Sequence, residues 1–278
     1  MSTIAAPAIS VCIPSYRGAA HIGAAIESVL SQTLTDFELL IIDDNSNDDT
    51  ANVVRQFRDP RIRFLQNPVN LGPQENWNRC LHEARGTYFK LLPQDDLLAP
   101  DCLAKQGAIL DQDGAHRIAL VFCARTIVDA RDRPIMVRGL SDGHTGPICA
   151  QTLIGQCLRR GTNLIGEPGS VMLRRELANS VGLFDASIPY VLDLDYWFRL
   201  LLKGDAYYLE ETLASFRVSR QSWSVAIGAK QSIDYRRFIQ KISKNPDFSA
   251  QHLDVFFGNI MAGLNNYLRL AFYRLVIT

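Results

Sequence analysis

From Ile9 onward, short aliphatic and β-branched runs alternate with stretches of helical periodicity, and this alternation leaves the chain few architectures. The apolar runs cover 9–13, 37–42, 61–65 and 87–92, and the helical patterns between them cover 19–31, 48–57 and 74–84. Strand and helix in turn imply crossover connections, hence a parallel sheet with helices on its faces. In such a sheet the loops and helix N-termini gather at the carboxyl ends of the strands, where ligands bind. The polar clusters fall at those ends: Pro14-Ser15-Tyr16-Arg17, Asp43-Asp44-Asn45-Ser46, Asn67-Pro68 and Gln94-Asp95-Asp96.

The last cluster is the most specific chemically. Asp95 and Asp96 repel each other, yet they close a run of buried-strand character and lead into Leu97-Leu98. A divalent cation bridging to a phosphorylated ligand would relieve that repulsion, because hard cations take carboxylate oxygens and keep positions open for phosphate. A solvated turn capping the next helix is the plainer reading. Neighbours in extended chain point oppositely, which gives Asp96 to the metal and Asp95 to ribose or sugar hydroxyls. If the edge holds a nucleotide, Tyr16 offers a stacking face and Asp44 an acceptor for the imide N–H of uracil or thymine. Asp44-Asn45-Ser46 also reads as a cap for the helix at 48–57, although one cap does not need three such residues.

After a helix at 100–112, a strand at 118–123 restarts the sheet. The segment 131–149, rich in Gly and Pro, reads as a hairpin followed by a mobile loop. Later come a strand at 170–173, a helix at 193–203 and strands at 207–209 and 213–218. The expected division falls near residue 115, between a first half at 1–115 and a second half at 116–225, followed by a C-terminal helical extension at 226–278. Within a helix starting at Asp193, Asp195 and Arg199 form an i,i+4 pair. Asp193 is then free to cap the helix or to face another surface, and spacing alone favours the cap.

Composition narrows the function. Apolar residues make up 47% and charged residues 21% of 278 positions, as in a globular protein. Lys plus Arg and Asp plus Glu both number 29, so the chain lacks the basic surplus that nucleic-acid binding uses, and no nucleic-acid partner is expected. Six scattered cysteines include no C-x-x-C pair, which disfavours zinc and suits a reducing compartment. The first residues lack a basic region and apolar core, so no secretory signal is expected and a cytoplasmic site follows. No apolar stretch reaches membrane-spanning length, but in 256–277 Phe257, Ile260, Met261, Leu264, Leu268, Ala271 and Leu275 recur at helical spacing. That stripe either packs on the body or lies at the inner face of the membrane, with Arg269 and Arg274 near acidic lipid. The sequence carries no signature of oligomeric state.

Taken together the segments resemble family 2 glycosyltransferases of the GT-A fold, over roughly 8–220. The resemblance is carried by 9–16 (ISVCIPSY), 25–33 (AIESVLSQT), 37–46 (FELLIIDDNS), Asn70-Leu71-Gly72 with Asn76-Trp77-Asn78, and Ala84-Arg85-Gly86-Thr87-Tyr88. It implies a Rossmann-like mixed sheet flanked by helices, a nucleotide-sugar donor (UDP favoured, dTDP next), and a glycan or lipid-linked glycan acceptor. It also implies Mn²⁺ or Mg²⁺ held by an Asp-x-Asp-like motif, here Gln94-Asp95-Asp96, with Asp96 as the metal contact. The donor set it points to is Pro14, Ser15, Tyr16, Arg17, Asp44, Asn76 and Asp95. The similar enzymes are inverting, and their acidic pair before an aromatic corresponds to Leu192-Asp193, which makes Asp193 the catalytic base. Ser219 stands where related sequences often carry His, so Arg217 and Arg220 become candidates for the phosphate charge, and Gly169 and Ser170 fall in the loop flanking the acceptor. Two other readings stay open. A sugar-nucleotide nucleotidyltransferase would share the sheet and acidic site but lacks its Gly-rich basic loop here, and a non-catalytic nucleotide-sugar-binding module would explain Gln94, Leu192 and Ser219.

Overall fold

The computed structural model describes residues 6–140, 144–220 and 222–276; the expectations for the first five residues, Gly143, Gln221 and Ile277 lie outside these. Strands β1 (Ile9–Ser15), β2 (Phe37–Asp43), β3 (Ile62–Gln66) and β4 (Tyr88–Leu91) pair in parallel in the order β3-β2-β1-β4. Helices α1 (Ile22–Leu30), α2 (Thr50–Gln56) and α3 (Pro73–Glu83) make the crossovers. All seven residues of β2 are buried, which is why the strand reads as an unbroken apolar run with no alternation.

The sheet then turns mixed. Beyond β5 (Leu97–Leu98) and α4 (Cys102–Gln112), β6 (Ile118–Val128) folds back on β7 (Pro134–Arg138). The rest of the region expected to be a mobile loop includes β8 (Gly146–Ile148), paired antiparallel to a later strand, because Pro147 sits at a sheet edge where its missing N–H costs nothing. Helix α5 (Ala150–Arg160) follows, an element absent from the sequence expectation. A 3₁₀ turn at Pro168–Ser170 leads into β9 (Val171–Arg174), which lies antiparallel between β4 and β6 and joins both halves into one sheet. Helices α6 (Arg175–Ser180) and α7 (Leu192–Leu201) come next. The two strands expected at 207–209 and 213–218 are one, β10 (Asp205–Arg217), whose register against β6 shifts between Leu209 and Ala214. Glu210 and Glu211 are exposed at that irregularity, so the apolar pattern breaks while the strand continues.

Three helices close the chain: α8 (Trp223–Ile227), α9 (Lys230–Lys244) and α10 (His252–Val276). Helix α10 is inverted. The side it turns to the body carries Asp254, Gly258, Ala262 and Asn266, all buried, while Leu253, Phe256, Phe257, Ile260, Leu264, Tyr267, Leu268 and Leu275 are exposed. The small residues let α10 cross α5 at backbone distance: a Cβ on Gly258 would fall 2.2 Å from the Leu158 carbonyl oxygen, so no larger residue fits. The expected apolar stripe exists and largely faces away from the protein; of its seven residues, six are exposed.

Candidate functional site

At the carboxyl ends of β1 to β4 the polar side chains are tied to one another. Asp44 is buried, and its Oδ1 accepts from Asn67 Nδ2 (2.5 Å) and the Leu71 N–H (2.8 Å), its Oδ2 from the Gly72 N–H (2.8 Å). The carboxylate expected to read an imide therefore fixes the loop that opens α3. Asn76 donates to the Ile42 carbonyl (3.1 Å) and accepts from Asn67 (3.1 Å), which places it behind that loop as support. Capping of α2 falls to none of residues 44–46; Asp48 Oδ1 instead accepts from the Thr50 N–H (3.1 Å).

Gln94, in the place of the motif's first acid, clamps the loop after β1. Its Oε1 accepts from the Ser15 hydroxyl (2.7 Å) and the Tyr16 N–H (2.9 Å), and its Nε2 donates to the Tyr16 carbonyl (2.9 Å). An amide does what a carboxylate could not, because it both donates and accepts. The clamp leaves the Tyr16 ring 42% exposed, with the Arg17 guanidinium 5.1 Å from its centroid. Pro14 is half-buried just before this loop.

The acidic pair sits in a turn, the Asp96 N–H donating to the Pro93 carbonyl (3.1 Å), and not in the extended chain from which opposite directions were expected; Asp95 lines a cavity and Asp96 is 1% exposed. Asp96 Oδ1 accepts the Arg217 N–H (2.9 Å), while its Oδ2 has no hydrogen-bond partner among the described residues. Burial first, and then the charge of Asp95, pushes the Asp96 carboxyl well above the usual carboxylate range. A buried carboxylate oxygen left unpaired is costly, and a cation would supply a partner for it. No cluster of three His, Cys, Asp or Glu able to hold a metal occurs among the described residues, so a cation held at Asp96 and Asp95 would complete its shell from phosphate and water. Gly169 lies beside this carboxylate: a Cβ there would stand 3.3 Å from Leu92 Cδ1 and 3.8 Å from Asp96 Oδ2. Ser170 is buried beside it, with its carbonyl taken by Gln106 Nε2 (2.7 Å).

Arg217 is buried, and its guanidinium is engaged by protein: Nε with the Asp95 carbonyl (2.9 Å), Nη1 with the Asp129 carbonyl (3.1 Å), and Nη2 with Asp132. It holds the acidic turn from behind. Arg220 is exposed and lies outside the cavity wall, and Ser219 is held in a tight turn by Ser222 (3.0 Å).

The same cavity is lined by Asp193, in the first turn of α7. It makes no N-cap bond; Oδ1 accepts from the Leu194 N–H (2.7 Å) and Oδ2 from Asn163 Nδ2 (3.1 Å). Burial, and next the charge of Glu167, pushes its carboxyl up to about 7, against the pull of the Leu194 N–H. Asn163 in turn accepts from the Gly166 N–H (2.9 Å), where Gly166 adopts φ 112°, a conformation other residues reach only under strain. Leu192 is buried in the core, and the second carboxylate near Asp193 comes from Glu167, paired with Arg125 Nε at 2.7 Å. Sequence reasoning missed Asn163, Arg125, Arg138 and Arg269. One signal existed: Arg125 is a lone charge in the apolar run of β6, and such a residue needs a buried partner.

The comparisons with known proteins bear on the family and the fold. The family model described as glycosyl transferase family 2 matches residues 10–181. An uncharacterized protein of Mycobacterium tuberculosis is 31% identical over 254 residues, 87% of this chain and 77% of that protein. Among solved structures, S. aureus TarS 1-349 in complex with UDP-GlcNAc is similar at TM-score 0.67 and 18% identity, over 97% of this chain and 76% of that one. The mannosyltransferase PcManGT from Pyrobaculum calidifontis, in complex with GDP-Man and Mn²⁺, gives TM-score 0.65 and 17% identity, over 99% and 77%. These likenesses are of fold, the mixed sheet of GT-A glycosyltransferases.

Proposed function

The chain belongs to glycosyl transferase family 2, and on that premise we propose that it is an inverting enzyme. It moves a sugar from a nucleoside-diphosphate sugar, UDP-linked in preference to dTDP-linked, to a hydroxyl acceptor in cell-surface polysaccharide synthesis. The observation that carries the reading is that Asp95 and Asp193 line one cavity, with an unpaired Asp96 oxygen next to the first in sequence. Residues 14–17, Asp44 and Asn76 shape the donor cradle of the 1–115 half, and the 116–225 half presents the acceptor.

Asp193 is the base. Its carboxyl, held up to about 7 by burial, binds a proton more strongly than a surface carboxylate yet is partly ionised near neutrality. Asn163 and the Leu194 N–H each fix one oxygen, leaving lone pairs for the acceptor hydroxyl. As that hydroxyl oxygen bonds to the anomeric carbon, its proton passes to Asp193 and the bond to the diphosphate breaks. A Mn²⁺ or Mg²⁺ held by Asp96, with Asp95 beside it, supplies charge neutralisation to the departing diphosphate.

Helix α10 is the proposed contact with the cytoplasmic face of a membrane. Its exposed apolar side is one support. The other is charge: with Arg269, expected near lipid, instead in the cavity wall and Lys241 paired to Asp185 and Asp195, residues 226–276 still carry Lys230, Arg236, Arg237, Lys244 and Arg274 against Asp234, Asp247 and Asp254, in a chain of zero net charge. An apolar face in a segment of positive balance fits an anionic lipid surface. No helix among the described residues is long and apolar enough to cross a membrane.

The test of the catalytic reading is nucleoside diphosphate release from a panel of nucleotide sugars with Mn²⁺ and glycan acceptors. Release by the wild-type protein and its loss in Asp193→Asn, with donor binding retained, is expected. Equal release by both proteins contradicts the assignment of the base.

A further inference from the structure

Three guanidinium groups come together on the side of the cavity where Asp193 stands: Arg125 from β6, Arg138 from the end of β7 and Arg269 from α10. Their partners differ. Arg125 is neutralised by Glu167 at 2.7 Å. Arg269 donates to the Tyr190 hydroxyl and to the Gln231 side-chain oxygen, both uncharged acceptors. The Arg138 side chain, half-buried in the wall, has no hydrogen-bond or ion-pair partner among the described residues. Burial, and the charges of Arg125 and Arg269, make the Arg138 cation less favourable than usual, and Glu167 offsets this only in part.

A guanidinium stays charged under all ordinary conditions, so such a site cannot relieve itself by losing a proton. Of the carboxylates on this side, Glu167 is already committed to Arg125, and Asp193 is held near half-ionisation. The remaining route to neutrality is an anion from outside. We propose that Arg138 and Arg269 form a subsite for a phosphate or carboxylate group carried by the acceptor. The planar fork of Arg138 suits two oxygens of either group, and Arg269 can add its remaining donors. The anion belongs to the acceptor, since the base is on this side and the loops at 14–17 and 44–46 contribute nothing to this cavity wall. The inference rests on the glycosyltransferase reading and narrows its acceptor to acidic sugars or phosphate-bearing glycans.

The experiment uses the full chain saturated with UDP and Mg²⁺, titrated with methyl glucuronide, with inorganic phosphate, and with neutral methyl glucoside, following thermal stability. A saturable rise with glucuronide or phosphate, none with the glucoside, and a loss of about tenfold or more in apparent affinity in Arg138→Gln is the expected result. Arg138→Lys should recover part of the phosphate response, since it restores the charge without the fork. An unchanged response in Arg138→Gln, no anion response in the wild-type protein, or an anion effect that vanishes once UDP is bound overturns the subsite. Failure of UDP itself to bind would instead count against the donor reading, so the two failures are distinguishable.

Discussion

The strand ends of β1 to β4 and the cavity lined by Asp193 and Arg138 handle polar residues in contrary ways. On the first side Asp44, Asn67, Asn76, Ser15 and Gln94 satisfy one another and the backbone, so the loops are set before any ligand arrives. On the other side Asp193 is raised toward neutrality and Arg138 has no partner, and beneath the acidic turn one Asp96 oxygen is unpaired. The first arrangement fixes its loops in advance; the second leaves buried charged groups without full compensation, which in the proposed reading substrate would supply.

Removing the loaded base should have the largest effect. Asp193→Asn is expected to cut turnover by about 10²- to 10⁴-fold with little change in donor affinity, and wild-type turnover should rise through about pH 7 and level above it. The same carboxyl has a folded value above its unfolded one, so its burial favours the native state at low pH and costs stability as pH rises toward 7. Asp193→Asn should therefore melt higher than wild type at pH 8, and the gap should shrink toward pH 5. Thermal melts of both proteins across that range check the sign.

On α10, replacing Phe256, Phe257 and Ile260 by Ser should lower partitioning onto vesicles containing phosphatidylglycerol by about tenfold or more without a change in melting temperature, since these side chains are exposed. Unaltered partitioning, or a dimer in solution that the same changes dissociate, would replace the lipid by a second copy. The smallest effect tests the cradle. Gln94→Ala removes three hydrogen bonds around Tyr16 and should cost about 1–3 kcal/mol, read as a lower melting temperature and weaker donor binding with turnover at saturation largely kept.

The two sides also differed in how far the sequence revealed them. Strands β1, β2 and β4 of the parallel half are almost wholly buried, and their continuous apolar runs, each ending in a polar cluster, are legible in a single chain, whereas edge strand β3 is only partly covered. Gln94 was legible as a departure, but its role as a clamp depends on the loop it meets. Beyond residue 115 the signals weaken for physical reasons. The bulge at Glu210 and Glu211 split one strand into two, and α10 shows an apolar stripe whose direction is set by the Gly258 crossing with α5. Spacing favoured Asp193 as a helix cap, and only resemblance argued for a base. The carboxylate and cations around it come from Glu167, Arg125, Arg138 and Arg269, scattered over 145 positions of chain.

The central claim is that Asp96, through its unpaired oxygen, makes donor binding depend on a divalent cation, while Asp193 acts only in transfer. Titrating UDP into wild type, Asp96→Asn and Asp193→Asn, each with and without Mn²⁺, tests it most directly. Metal-enhanced binding in the wild type and in Asp193→Asn, absent from a folded Asp96→Asn, is the predicted result; the same metal enhancement in Asp96→Asn would contradict it.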